Sequence, residues 1–263
     1  MADPLQPLPT RVGHAGWGDN RYCGHGVAAE LAGSTTLWSL VSLAVGHRRL
    51  TAAESSILDD LATCAAAADP RIWPLKAIRL GAAWGRFTGG LSVGLLATDG
   101  IHGPGPVRAC TELLSGIRDR LGDGDDRDLE EIVASLLVDP DRRLAGFGVA
   151  VREADERVVA FQRCLERRGL QDLPSWSLMR RVEAITIARR AAPVNISGAT
   201  AAILLELGFA PSQTPPLFLM VLLPNMLANA HEGAAQAPAV LQRLPASAVR
   251  YVGAAPRKSP RAG

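Results

Sequence analysis

The chain has 263 residues, enough to bury a substantial core as one large domain or two modest ones. Its 28 basic and 26 acidic residues leave a formal charge of +2, which argues against a nucleic-acid-binding protein. The four cysteines include no CxxC pair, which argues against a zinc site and favours reduced thiols in a cytoplasmic protein.

Helical periodicity dominates the sequence, and strand alternation is almost absent. Near the start, TRVGHAGWGDNRYCGHG predicts a short hairpin that turns at Asp19 and Asn20. Further on, Thr51 and Glu54 have the spacing of a helix capping box. Helices are predicted at 35–47, 50–68, 106–122, 128–138, 154–169, 177–191, 197–208 and 217–231. The sequence therefore predicts an all-α protein with a short N-terminal hairpin.

Neither the start of the chain nor its most apolar stretch predicts contact with a membrane. The first residues, MADPLQPLPTRVG, show no basic region followed by an apolar one, so no secretory signal is predicted. The apolar run PPLFLMVLLPNMLANAH is interrupted by Pro224 and is shorter than the roughly 18 to 20 residues that a membrane span needs. We expect a buried helix here and a cytoplasmic protein.

A histidine lies within a run of glycines and prolines at Thr98–Val107, TDGIHGPGPV. Gly103 and Gly105 carry no side chain, so a substrate can approach the backbone closely, and the N–H groups that begin the next helix favour an anion or a developing oxyanion. At a helix N-terminus His102 is expected to be neutral and to donate a hydrogen bond to a carbonyl oxygen. The alternative is a histidine that only stabilises the turn.

Several segments, in order, resemble motifs of citrate synthases. DGIHGPGPVRACTELL resembles the family's GPLHGG, AGFGVAVREADER resembles GFGHRVYxxxDPRA, PVNISG resembles PNVDxxSG, and PPLFLMVLLPNMLANAHEG resembles LFxxxRxxGWxAHxxE. The likeness extends from about Thr10 to Arg257. The chain thus resembles a short, divergent member of the citrate synthase and citryl-CoA lyase superfamily.

The resemblance implies the fold and the assembly of that superfamily. It implies an all-α, citrate synthase-like fold with a large helical domain at 1–144 and 212–263 and a small helical domain at 145–211. It also implies a homodimer, for which helices 35–47 and 217–231 offer apolar faces.

Carrying the family's catalytic groups over one by one retains two of them. The donor to the enolate oxygen is retained as His102, and the arginine of the DPR motif is retained as Arg157, within DER. Asp99 is a candidate to orient the imidazole of His102, although it is also a common turn residue. Glu153 and Asp155 flank the retained arginine, and either is a candidate base; the alternative for both is a solvated helix start.

Other catalytic positions of the family are replaced. The second histidine falls on Val149, and the aspartate base falls on Ser197 when Asn195 is held in register. The arginine of LFxxxR falls on Leu222, and the histidine of the family's DHG segment falls on Pro70. Loss of a bidentate partner for a carboxylate disfavours oxaloacetate. We expect Val149, Asn195, Ser197 and Leu222 to line a more apolar substrate site.

Two functions of different classes follow. The first is an enzyme that catalyses a carbon–carbon bond-forming, bond-cleaving or cyclising reaction on an acyl or keto substrate. This reaction is not ordinary citrate synthesis. No cofactor or metal is predicted, and a CoA thioester is a candidate substrate. The alternative is a catalytically silent relative that acts as a ligand-binding or partner-binding scaffold.

Overall fold

The computed structural model describes residues 8–98, 103–139, 141, 143–150, 152–236, 243 and 245–255. Over this part the chain is mainly helical, with a small antiparallel sheet near its start, so the predicted all-α class is confirmed. The strands are β1 (Gly13–Gly16), β2 (Asp19–Tyr22) and β3 (His25–Gly26). The α-helices are α1 (Leu37–Gly46), α2 (Ala52–Cys64), α3 (Trp73–Ala82), α4 (Phe87–Ala97), α5 (Pro104–Leu121), α6 (Asp126–Leu136), α7 (Glu156–Arg168), α8 (Pro174–Arg190), α9 (Ile196–Glu206) and α10 (Thr214–Ala235).

The predicted N-terminal hairpin is present, but its turn lies earlier than expected. Gly16 pairs with Asp19 across β1 and β2, so the two turn residues are Trp17 and Gly18. Gly18, the second turn residue, has a φ of 87°, a positive value that glycine adopts without strain. The turn predicted at Asp19 and Asn20 was therefore wrong by two residues.

The capping box predicted for α2 is confirmed. The backbone N–H of Glu54 donates to Thr51 Oγ1 over 3.2 Å, and the backbone N–H of Thr51 donates to Glu54 Oε2 over 2.8 Å. The last helix, α10, continues through Pro224, which removes one backbone donor without ending the helix. Within the described residues, no helix has both the length and the apolar character needed to cross a membrane.

Two helices, α3 and α4, are absent from the predicted set. They form an antiparallel pair that packs on α10. Glycine is a poor helix former, and α4 contains several, so its local sequence does not indicate a helix. The glycines are explained by packing: a Cβ at Gly90 would lie 2.5 Å from the Cβ of Ala82 and 2.7 Å from the carbonyl oxygen of Ile78. A larger residue at this position would push the two helices apart.

We expect Gly90→Ala to destabilise the protein by about 1 to 3 kcal/mol, because overpacking against backbone outweighs the gain in helix propensity. Gly116→Ala is the matched control, since Gly116 also lies within a helix but has no atom within 4 Å of an added Cβ. This second change is expected to raise stability by up to about 1 kcal/mol. Urea unfolding of both variants measures the difference, and equal effects would contradict the packing explanation.

The main hydrophobic core joins helices from both predicted domains. Leu58 and Leu61 of α2 belong to the same buried cluster as Phe161 and Leu165 of α7. A second, smaller cluster lies among α3, α4 and α10 and is centred on Ile78. The division at residues 145 and 212 stays a prediction, and the shared core shows that the two segments pack directly against each other.

Candidate functional site

The two described ends of the histidine turn touch each other. A Cβ at Gly103 would lie 1.2 Å from the carbonyl oxygen of Thr98, so only glycine fits at the start of α5. Gly103 is buried and Gly105 is exposed in the first turn of that helix. The predicted catalytic residues His102 and Asp99 lie outside the described residues.

Helix α5 also contacts two other predicted site segments, the AGFG segment at 145–148 and the start of α9. Gly146 has a φ of 83°, and a Cβ there would lie 2.3 Å from Cys110 Sγ and 2.8 Å from the Cα of Gly198. Backbone from the AGFG segment is thus pressed between α5 and the start of α9. Burial raises the pKa of the Cys110 thiol to about 12, which makes it a packing residue and not a nucleophile.

The AGFG and PVN segments pair as a short antiparallel bridge between Phe147 and Val194. The N–H of Asn195 donates to the carbonyl of Gly146 over 2.9 Å, and its side-chain amide donates to the carbonyl of Gly148 over 3.1 Å. The same side chain caps α9 by accepting the N–H of Ser197 at 2.9 Å. The sequence predicted Asn195 as a site residue, and the structure places it as the link between the two segments.

Asp155 and Arg157 form a buried clamp at the start of α7. The carboxylate of Asp155 accepts Arg157 Nε at 2.8 Å and Arg157 Nη2 at 2.7 Å, together with the Arg157 backbone N–H at 3.1 Å. Its Oδ2 also accepts the N–H of Ile196 at 3.0 Å. One carboxylate therefore caps α7, orients the guanidinium and fixes the start of α9. The side chain of Asp155 is 1% exposed, whereas that of Arg157 is 32% exposed.

This geometry changes the role expected for Asp155. Burial acts to raise the pKa of Asp155, but the hydrogen bonds and charge of Arg157 outweigh it and hold the pKa below its ordinary value. A carboxylate with four N–H donors and a lowered pKa is a poor proton acceptor. The arrangement favours a positioning role over the predicted role as a base. Glu153, the other candidate, is exposed.

Two further arginines, Arg71 and Arg152, form ion pairs with Asp69 and Glu156. Arg71 donates to Asp69 through its Nε over 2.8 Å, in the loop that resembles the family's DHG segment. The pKa of Arg152 is raised, first by its hydrogen bond to Glu156, while the nearby charge of Arg71 acts to lower it. The charge of Arg71, in the loop before α3, thus acts on Arg152, in the segment before α7. Arg152 was missed by the sequence analysis.

Solved structures share this arrangement of helices. Citryl-CoA lyase from Hydrogenobacter thermophilus gives a TM-score of 0.77 at 18% sequence identity, covering 97% of this chain and 98% of that one. Citrate synthase from Thermotoga maritima gives a TM-score of 0.62 at 17% identity, covering 82% of this chain and 57% of that one. This chain has the citrate synthase-like fold.

The predicted citrate synthase-like fold is therefore confirmed. Methanosaeta concilii ATP citrate lyase in complex with (3S)-citryl-CoA gives a TM-score of 0.65 at 15% identity, covering 97% of this chain. The chain spans only 43% of that enzyme. No protein-family model matches the sequence, and no curated protein matches it. At these identities the likeness establishes the fold and not the reaction.

Two amides of α10 hold the loop that carries Asp69 and Arg71 in this citrate synthase-like fold. Asn225 Nδ2 donates to the carbonyl of Ala65 and Asn229 Nδ2 donates to that of Ala68, each over 3.0 Å. Arg79 of α3 in turn donates to Asn229 Oδ1 over 2.7 Å. This network was not predicted from the sequence. Two asparagines four residues apart in an apolar helix are the signal that predicts it.

The remaining predicted site residues have different surroundings. Val149 and Ser197 are half-buried, one just after the Phe147 bridge and the other in the first turn of α9. Leu222 is half-buried and packs against both hydrophobic clusters. That these three residues line a substrate site stays a prediction.

A separate groove of about 730 Å³ lies between α1, α2 and α10, and none of the predicted site residues lines it. In the part of the chain that the structure describes, no group of three or more His, Cys, Asp or Glu side chains is placed to hold a metal ion.

Proposed function

We propose that the chain is an enzyme that forms or cleaves a carbon–carbon bond on an acyl or keto substrate, with a CoA thioester as the substrate class. One observation carries this proposal. Arg157 is oriented by a buried bidentate carboxylate that also binds the start of α9, yet it keeps 32% of its side chain exposed. An arginine held in this way is prepared to bind an acidic group.

Each retained residue has a role in such a reaction. His102 would donate a hydrogen bond to the thioester carbonyl oxygen and stabilise the negative charge that develops there. Arg157 uses Nε and Nη2 to bind Asp155, which leaves Nη1 as the group that would bind the substrate's acidic group. Glu153, which is exposed and lies four residues before this arginine in the sequence, is our candidate for the base, since Asp155 is fully engaged.

The replaced positions limit the substrate. Leu222 packs among apolar side chains, where the resemblance implies an arginine, and a buried carboxylate beside it would lack a partner. A substrate with fewer charges than oxaloacetate fits this composition better. Structures with the same fold include one described as citryl-CoA lyase and one bound to (3S)-citryl-CoA, which supports a thioester substrate.

Exchange of the protons beside the thioester carbonyl distinguishes an enzyme from a catalytically silent scaffold. The purified chain is incubated in deuterated buffer with acetyl-CoA and with longer acyl-CoA thioesters, and deuterium at the carbon beside the carbonyl is measured by mass spectrometry. We expect exchange above the buffer rate for at least one thioester. Binding without exchange for every thioester would instead support the scaffold. Rapid condensation of acetyl-CoA with oxaloacetate would contradict the substrate limits proposed above.

We also infer that the chain forms a homodimer, as the resemblance implies. Large apolar side chains remain exposed on the α3–α4 pair, among them Trp73, Trp84 and Leu96, beyond the two helices expected at the interface. Exposed apolar side chains grouped on one helical hairpin are typical of an interaction surface. Sedimentation velocity should give twice the 27.7 kDa mass of one chain, and a monomer at micromolar concentration would contradict the inference.

A further inference from the structure

Two cysteines from distant parts of the sequence lie in contact. Cys64 ends α2 and Cys164 lies in α7, and their Sγ atoms are 3.9 Å apart. Cys64 is half-buried and Cys164 is buried, and both are free thiols. Arg167 Nη2 donates to Cys164 Sγ over 3.1 Å.

An ion pair joins the same two helices beside the thiols. Arg168 Nε donates to Asp60 Oδ2 over 2.7 Å, which joins the last turn of α7 to α2. Each of these two side chains is about a third exposed, so the ion pair positions the helices but contributes little stability. The thiols are therefore kept at contact distance by the packing of α2 against α7.

We propose that Cys64 and Cys164 form a reversible disulfide that ties α2 to α7 and restrains movement between the parts of the chain that carry them. A disulfide has an S–S distance of about 2.05 Å, so the sulfurs must approach each other by roughly 2 Å for the bond to form. The two helices lie on opposite sides of the domain boundary predicted at residue 145. If the two parts close over a substrate, the bond fixes their relative position.

A small disulfide, RSSR, is the oxidant in this scheme. The first cysteine loses its proton to solvent and its sulfur attacks RSSR, forming a mixed disulfide and releasing one thiolate. The second cysteine loses its proton and attacks the protein sulfur of the mixed disulfide, which forms the protein disulfide and releases the second thiolate. Both thiolates take up protons as RSH. Two electrons pass from the protein to the oxidant, and a dithiol reverses the reaction.

The local environment makes the reduced pair slow to react. Burial, followed by the charge of Cys164, raises the pKa of the Cys64 thiol to about 12. Asp60 acts in the same direction, whereas the charge of Arg167 opposes it. Because thiolates are the attacking species, the bond should form slowly at neutral pH and faster in mildly alkaline buffer. The pair thus responds to sustained oxidising conditions.

The test uses the full chain and glutathione disulfide in mildly alkaline buffer. After digestion without reductant, mass spectrometry should find one peptide that joins Cys64 to Cys164, and dithiothreitol should remove it. The closed loop is long, so the oxidised chain should melt about 5 to 15 °C higher than the reduced one. Cys64→Ser and Cys164→Ser should each abolish this shift, and Cys23→Ser should keep it.

Two outcomes would overturn the disulfide. In one, both thiols remain open to alkylation after oxidation; in the other, glutathione stays attached to one cysteine and no joined peptide forms. The restraint itself rests on the proposed function and is measured by the thioester exchange rate, which should fall several-fold on oxidation and recover with dithiothreitol. An unchanged rate in the cross-linked chain would overturn the restraint alone. A joined peptide in a chain that never catalyses exchange would refute the proposed function and leave the disulfide standing.

Discussion

Replacing Asp155 by alanine is expected to lower the free energy of unfolding by about 2 to 4 kcal/mol. The change removes the cap of α7, leaves the Ile196 N–H without its acceptor in a buried place, and frees Arg157 from its bidentate partner. Arg157 is partly exposed, so water compensates for some of the loss, and the estimate lies below that for a fully buried pair. Denaturant unfolding followed by circular dichroism measures the effect.

Asp125→Ala is the matched control. Asp125 caps α6 by accepting the N–H groups of Arg127 and Asp128, but it lies at an exposed helix start and forms no ion pair with an arginine in the described structure. Its loss should cost only about 1 kcal/mol. Equal costs for the two variants would show that Asp155 acts only as a cap.

The Asp155 effect should depend on pH in a defined direction. Because folding lowers the pKa of Asp155, its stabilisation is fully present above the pKa of the unfolded state, about 4, and is lost as the pH falls through the folded pKa. The stability difference between the wild type and Asp155→Ala should therefore be largest near neutral pH and should shrink in acid. A difference that grows in acid would contradict the clamp.

His102→Ala is expected to lower the thioester exchange rate by about 10²- to 10³-fold, the usual loss when one donor to a developing oxyanion is removed. His102→Asn, which keeps a side-chain donor, should lose less. Thioester affinity should change little, because the hydrogen bond is strongest once negative charge has developed. The rate of deuterium incorporation into the thioester measures catalysis, and a binding isotherm on the same preparation measures affinity.

His14→Ala serves as the control for histidine loss, since His14 is exposed on β1, in a hairpin that none of the predicted site segments includes. It should leave the exchange rate unchanged. A wild-type rate in His102→Ala would remove the histidine from the mechanism, whereas loss of thioester binding would assign it to substrate recognition.

Helices could be predicted from the sequence wherever neighbouring residues carry a capping or periodicity signal. The Thr51 and Glu54 capping box, the Asn195 cap and the apolar periodicity of α2 and α5 are properties of a few neighbouring residues. Helix α4 is different, because Gly90 and Gly94 lower its intrinsic propensity and become favourable only when α3 lies against them. That partner is not encoded within the segment itself.

The candidate site also has some features that could be predicted from the sequence and others that could not. The convergence of the AGFG and PVN segments follows from the family resemblance and appears in the structure as the bridge at Phe147. The role of Asp155 could not be predicted, because its decisive partner, the N–H of Ile196, is 41 residues away in the sequence. Backbone donors carry no residue-type signal, so a carboxylate that binds one looks like a free acid until the tertiary structure is known.

The hold that α10 exerts on the loop before α3 has an evolutionary consequence. Asn225 and Asn229 bind main-chain carbonyls, which every amino acid possesses. The side chains of the loop can therefore change without loss of these hydrogen bonds. Residues 66–68 should therefore accept diverse substitutions across relatives, while the two asparagines should resist them. Sequence variation would then be concentrated in the loop, while the two asparagines of α10 that hold it stay constant.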